Sequence, residues 1–169
     1  LVGGTQPAVL IEGIELNANG APFALENTTA PRTLAIRNIN GGTYRGAGPG
    51  TFHLEDVVSG PYEIGADHTA FFRQLNPENT GEKVIIDGGT AVILGLKTEK
   101  EGTPVVARNG ATVELLGGLI YPVGSLPLEQ PMIINDESTV SAIIGESSFS
   151  GDSNHKVVVE EIRNSELRR

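Results

Sequence analysis

The feature that most constrains this chain is a four-residue pattern: apolar, any residue, polar or Gly, apolar. It occurs at Ile11 to Ile14, Ile36 to Ile39, Leu54 to Val57, Phe72 to Leu75, Ile93 to Leu96 and Leu116 to Leu119. Successive occurrences lie 25, 18, 18, 21 and 23 residues apart. A repeat near twenty residues, with a short strand in each unit and no helical periodicity between units, predicts coils that stack and bury a shared apolar interior. Glycine, at 22 of 169 residues, is about twice its ordinary usage and favours many tight corners over helices. The expected fold class is therefore all-β, a single-domain β-solenoid, with a β-sandwich or jelly roll as the alternative.

Register separates the two. Residues one coil apart in a solenoid stack at strand spacing and should match chemically. Adding 18 to Ile36 gives Leu54 and then Phe72, and the same step takes Ile39 to Val57 and Leu75. Between these inward rows, Arg37, Glu55 and Arg73 fall in one column and Asn38, Asp56 and Gln74 in the next. A column of alternating charge is a favourable cross-strand arrangement, so these six residues form an expected structural ladder. Glu55 and Asp56, as neighbours on a strand, are expected on opposite faces.

Residues 1–123 read as the coils, punctuated by turn signals such as Asn19-Gly20, Asn40-Gly41-Gly42 and Asp87-Gly88-Gly89. Residues 124–169 read as a loop excursion around Leu126-Pro127-Leu128, followed by closing strands that cap the same domain. Asn27 to Pro31 and Gly46 to Gly50 are shorter loops. At the start, Leu1-Val2-Gly3-Gly4 offers no cap for an edge strand, so the first coil is expected to stack on the rest of a longer precursor or on a second copy, which would build a stalk or filament.

The segments Phe72 to Glu78, Ala91 to Glu99 and Ala111 to Gly118 resemble the closing coils of pectate-lyase-like right-handed parallel β-helix proteins. The resemblance covers roughly residues 8 to 120 and is carried by scaffold positions. It implies polysaccharide handling by a secreted or cell-surface protein: a lyase, a glycoside hydrolase, an adhesive module or a structural coat. Catalytic members carry paired or tripled carboxylates on one parallel sheet, with no matching series in this chain.

Candidate chemistry is sparse. His53, Glu55, Asp56, Asp67 and His68 place carboxylates near imidazoles, as acid and base steps on a glycosidic bond require, but Glu55 has its arginine partners and its neighbour faces away. Asp56, Asp67, Asp87 and Asp136 lack calcium-ligand spacing, and three scattered histidines form no zinc motif. Gly46 to Gly50 lacks the Lys and helix of a phosphate loop, and Gly145-Glu146-Ser147-Ser148 lacks the second Gly of a nucleophile elbow. No catalytic residue, metal site or cofactor is assigned. Sugar contact needs an aromatic platform beside polar groups, and Tyr44, Arg45, His53 and Tyr62 are the candidates. A net charge of −9 disfavours nucleic acid, and no apolar run is long enough to span a bilayer. The expectation is a non-catalytic solenoid module of an extracellular or cell-surface carbohydrate-associated protein, with a filament subunit and a polysaccharide-cleaving enzyme as alternatives.

Overall fold

The computed structural model describes residues 5–16, 23–28, 31–149 and 153–169. The turn signal Asn19-Gly20, part of the Asn27 to Pro31 loop and the Leu1 to Gly4 segment lie outside the described residues. The described residues form fifteen strands: β1 (Ala8–Glu15), β2 (Ala24–Asn27), β3 (Thr33–Asn40), β4 (Thr43–Gly46), β5 (Thr51–Ser59), β6 (Tyr62–Ile64), β7 (Thr69–Pro77), β8 (Glu82–Asp87), β9 (Thr90–Thr98), β10 (Thr103–Arg108), β11 (Thr112–Ile120), β12 (Pro131–Asp136), β13 (Thr139–Glu146), β14 (Val157–Arg163) and β15 (Glu166–Arg168). Odd strands from β1 to β13 make a seven-stranded sheet, and even strands from β2 to β14 make a second sheet that β15 closes. Every pairing is parallel except the β14–β15 hairpin. This is a single-domain β-solenoid, each coil giving one strand to each sheet, and it excludes the sandwich alternative.

In the four middle odd strands, β3 to β9, the recurring apolar pair faces inward through a backbone device. In a plain strand, residues three apart point to opposite faces. Here the third residue of the first five patterns, Gly13, Asn38, Asp56, Gln74 and Gly95, adopts the left-handed conformation, with φ of 69°, 50°, 53°, 53° and 88°, and in the last pattern the second residue, Gly117, does so at 88°. That residue takes no place in the ladder register, which runs from Arg37↔Glu55 directly to Ile39↔Val57, and from Glu55↔Arg73 to Val57↔Leu75. The strand turns at that point, and in β3, β5, β7 and β9 both apolar flanks enter the core, whereas Ile14 in β1 is 40% exposed. Strict alternation between Glu55 and Asp56 is thereby lost: Glu55 is half-buried and Asp56 is exposed.

Ile36, Leu54, Phe72 and Ile93 are register partners in successive odd strands and are almost fully buried. Each such side chain contributes about 1.5–3 kcal/mol on burial. The sixth coil departs from the expected pattern. Ile93 pairs with Leu115, which is 1% exposed, and Gly118 pairs with Leu96, while Leu116 is 40% exposed. The inward apolar position in β11 is therefore Leu115, because Val113 and Leu115 alternate inward ahead of the left-handed Gly117.

Candidate functional site

The left-handed residues give the outer surface of the odd-stranded sheet a concavity. Where Asp56, Gln74, Gly95 and Gly117 turn the odd strands, a groove of about 510 Å³ forms, walled beyond the turn by Val58, Asn76, Lys97 and Leu119. A neighbouring depression of about 380 Å³, with Gly13, Glu15, Asn38 and Asn40, shares Asp56 and Val58 with it. The two form one trough that crosses successive odd strands from β1 to β11. It has the form of a track for an extended chain.

The polar groups in the trough differ in how fully they are engaged. Asn40 donates from Nδ2 to Glu15 Oε2 at 3.0 Å. Lys97 Nζ lies 3.3 Å from Glu78 Oε1 and also binds Glu99 Oε1. Partial burial disfavours the charged ammonium, but the hydrogen bonds and charges of Glu99 and Glu78 outweigh it and hold Lys97 above its ordinary lysine value. Asn76 differs: its Oδ1 is buried without a hydrogen-bond partner among the described residues. A buried acceptor left unpaired costs about 1–3 kcal/mol.

The ladder residues line the adjoining face. Glu55 sits between Arg37 (Nε to Oε2, 3.4 Å) and Arg73 (Nη1 to Oε1, 2.6 Å) on consecutive odd strands. Asn38, Asp56 and Gln74 form the turn column, so their contribution is backbone shape as well as polarity.

The sugar-contact candidates are dispersed, and two of them need correction. Tyr44 and Tyr62 are 1% and 0% exposed and stack on each other inside the core at 5.0 Å. Their hydroxyls donate to the carbonyls of Gly41 and Val57, so neither ring presents a platform to a sugar. Arg45 is exposed on an even strand, with its Nε 4.0 Å from Glu63. His53 lies exposed on β5 and stacks face to face with Phe71 at 5.0 Å.

The His53, Glu55, Asp56, Asp67 and His68 cluster is not brought together. His68 is 1% exposed, beneath the corner between β4 and β5, with Nδ1 3.2 Å from the Gly48 carbonyl and Nε2 without a partner among the described residues. Burial lowers its pKa, against the opposing pull of the Gly48 and Ala47 carbonyls. No group of three His, Asp or Glu among the described residues converges as a metal site would require. In the trough Asp56 is the carboxylate at the turn, while Glu78 and Glu99 are engaged by Lys97. The arrangement offers hydrogen bonds, apolar edges and space, with no second free carboxylate placed opposite Asp56 among its lining residues.

Asn76 and Lys97 were not among the sequence candidates. The signal was present, since Asn40, Val58 and Asn76 follow one another at the same 18-residue step as the ladder. Comparison of the chain with protein-family models, curated proteins and solved structures finds no match.

Proposed function

We propose that this chain is a β-solenoid module of an extracellular or cell-surface protein that holds a polysaccharide strand in the trough of its odd-stranded sheet without cleaving it. The observation that carries this reading is a groove of about 510 Å³ that follows the stacking direction, with polar Asn76 and Lys97 and apolar Leu119 on its wall. A sugar chain is rich in hydroxyl donors, presents C–H faces to apolar edges such as Leu119, and repeats along its length as the coils do. The resemblance of residues 72 to 118 to pectate-lyase-like proteins favours the same ligand class. An extracellular setting follows from where such polymers lie.

Affinity electrophoresis in gels containing soluble polysaccharides tests the proposal. Retardation of the wild-type protein, weakened about fivefold or more in Asn76→Ala, is expected. Unretarded migration in every polymer overturns it. Release of reducing ends or unsaturated uronates, abolished by Asp56→Asn, would select the cleaving alternative instead.

A second reading has its own observation. The N-terminal end of the solenoid holds a depression of about 520 Å³ lined by Val9, Ile11, Ile14, Leu16, Phe23, Leu25 and Leu34, where β1 and β2 are the edge strands of their sheets. We propose that a further coil, from the same polypeptide or a second copy, seats on this end. Concentration-dependent growth in mass by sedimentation supports stacking of copies, and a constant monomer mass opposes it.

A further inference from the structure

We propose that the coil seated on the N-terminal end is a basic coil of the same polypeptide, with one lysine or arginine over Glu12 and another over Glu26; this rests on that end being a seat for a further coil. Two charged rows run along the outside of the solenoid, one on each sheet, and both alternate in sign. On the odd strands the row is Glu12, Arg37, Glu55 and Arg73, each in register with the next. On the even strands it is Glu26, Arg45 and Glu63. Inside the stack Glu55 has an arginine on each side, Arg37 at 3.4 Å and Arg73 at 2.6 Å. At the N-terminal end both rows stop on a carboxylate. Arg37 is turned to Glu55 and Arg45 lies 4.0 Å from Glu63, so Glu12 and Glu26 stay exposed, with no ion pair or hydrogen bond among the described residues. Of the other charges there, Glu15 accepts a hydrogen bond from Asn40, and Arg32, in the wall of the depression, is likewise engaged. Opposite charges at facing positions of neighbouring strands attract and like charges repel, so the next coil outward is expected to repeat the arginines.

A second copy does not supply this chemistry. Stacked head to tail, it would bring up its C-terminal end, where both rows have changed character. The odd row turns apolar at Leu94, beside Arg73, and β13 closes it with Ile143, the register partner of Leu116 and 68% exposed. The even row passes through Ile85, Val106 and Ile134 to Glu160. Ile143 would then face Glu12, and Glu160 would lie over Glu26. The antiparallel β15 also occupies the outer edge of β14, where a parallel neighbour would have to pair. The arginines of that end are engaged already, Arg163 by Glu161, Arg168 by Glu166, and Arg169 by Glu129 and Glu160. Stacked head to head, two copies would set unpaired glutamates against their own kind. The apolar side chains left exposed at this end, Leu10, Ile14 and Phe23, would accept any apolar coil, so charge decides the occupant. A basic coil of the same polypeptide satisfies the rows and both strand edges together.

The experiment supplies such a coil. Residues 33–50, which carry Arg37 and Arg45 at the two row positions, are duplicated ahead of the intact chain, so that the copied threonine precedes Ala8 by 25 residues, the step that separates Ala8 from Thr33. A second fusion has both copied arginines replaced by glutamate, and a third joins that acidic coil to the Glu12→Lys/Glu26→Lys chain. Native-state hydrogen exchange is read in β1 and β2, with circular dichroism as the check on the fold, and the mass of the unfused chain is followed by sedimentation. The basic coil should slow exchange in β1 and β2 about tenfold or more relative to the unfused chain. The acidic coil should protect them at least about threefold less, the lysine pair should restore the protection, and the difference should shrink between about 50 and about 500 mM salt. Equal protection by the basic and acidic coils overturns the charge requirement while leaving this end as a seat for a coil. No added protection in any of the three fusions overturns the seat itself. Growth in mass of the unfused chain with concentration overturns the exclusion of a second copy.

Discussion

Gln74 holds φ at 53°, as Asn38 and Asp56 do in the coils before it, although only the shorter pair have side chains that ease this conformation by bonding locally. Gln74→Asn is expected to stabilise the fold by up to about 1 kcal/mol. Gly95→Val should cost about 1–2 kcal/mol or more, and through conformation rather than crowding, since its Cβ would come no nearer than 3.7 Å to Gln74 N. Urea denaturation of both variants checks this, and a neutral Gly95→Val would refute the role assigned to the turn. His68 gives a pH dependence. Burial sets its folded pKa below the unfolded value, so the native state binds fewer protons over that interval. The stability it supports is complete above about pH 6.5 and is lost as pH falls from there towards the folded value. The drop in melting temperature from about pH 7 to about pH 5 should be smaller in His68→Gln than in wild type; an equal drop assigns the effect to other groups. Lys83 was not legible at this scale. A lysine at the start of a strand reads as surface, yet it is fully buried because Thr98 Oγ1 and the Lys100 carbonyl accept its ammonium, and burial pulls its pKa down to about 8.

The odd strands from β1 to β11 were legible because each carries an apolar pair that recurs every 18 to 25 residues. The even strands were harder to read: β4 and β6, at four and three residues, are too short to show alternation, and their aromatics looked like surface platforms. Tyr44 and Tyr62 are inside because their hydroxyls find backbone carbonyls within the core. The pattern at Leu116 to Leu119 misplaced one register, because glycine at both middle positions leaves two aliphatic rows on β11 and only packing chooses between them. The charged ladder has a measurable consequence. Glu55→Ala leaves Arg37 and Arg73 without their shared partner, and the expected loss is about 0.5–1 kcal/mol at low salt, shrinking at about 0.5 M salt. A loss independent of salt would mean that packing of the side-chain stem dominates.

Across the whole molecule, stability should follow position along the stack. β5, β7 and β9 have a parallel neighbour on each side, whereas β1 and β2 have one. Native-state hydrogen exchange should therefore be slowest in β5, β7 and β9 and fastest in β1 and β2, and uniform protection would contradict a solenoid that opens from its end. The same stacking disperses the trough through the sequence, so that its walls come from stretches about twenty residues apart and no contiguous motif marks it. Its dependence on one repeated backbone conformation is the central claim. The most direct measurement is an amide-resolved NMR titration with an oligosaccharide cut from the polysaccharide that binds most tightly. Shifts confined to residues 56–58, 74–76, 95–97 and 117–119, moving together at one affinity, are the predicted result. Shifts gathered in a single continuous stretch elsewhere, or none at saturating oligosaccharide, would contradict it.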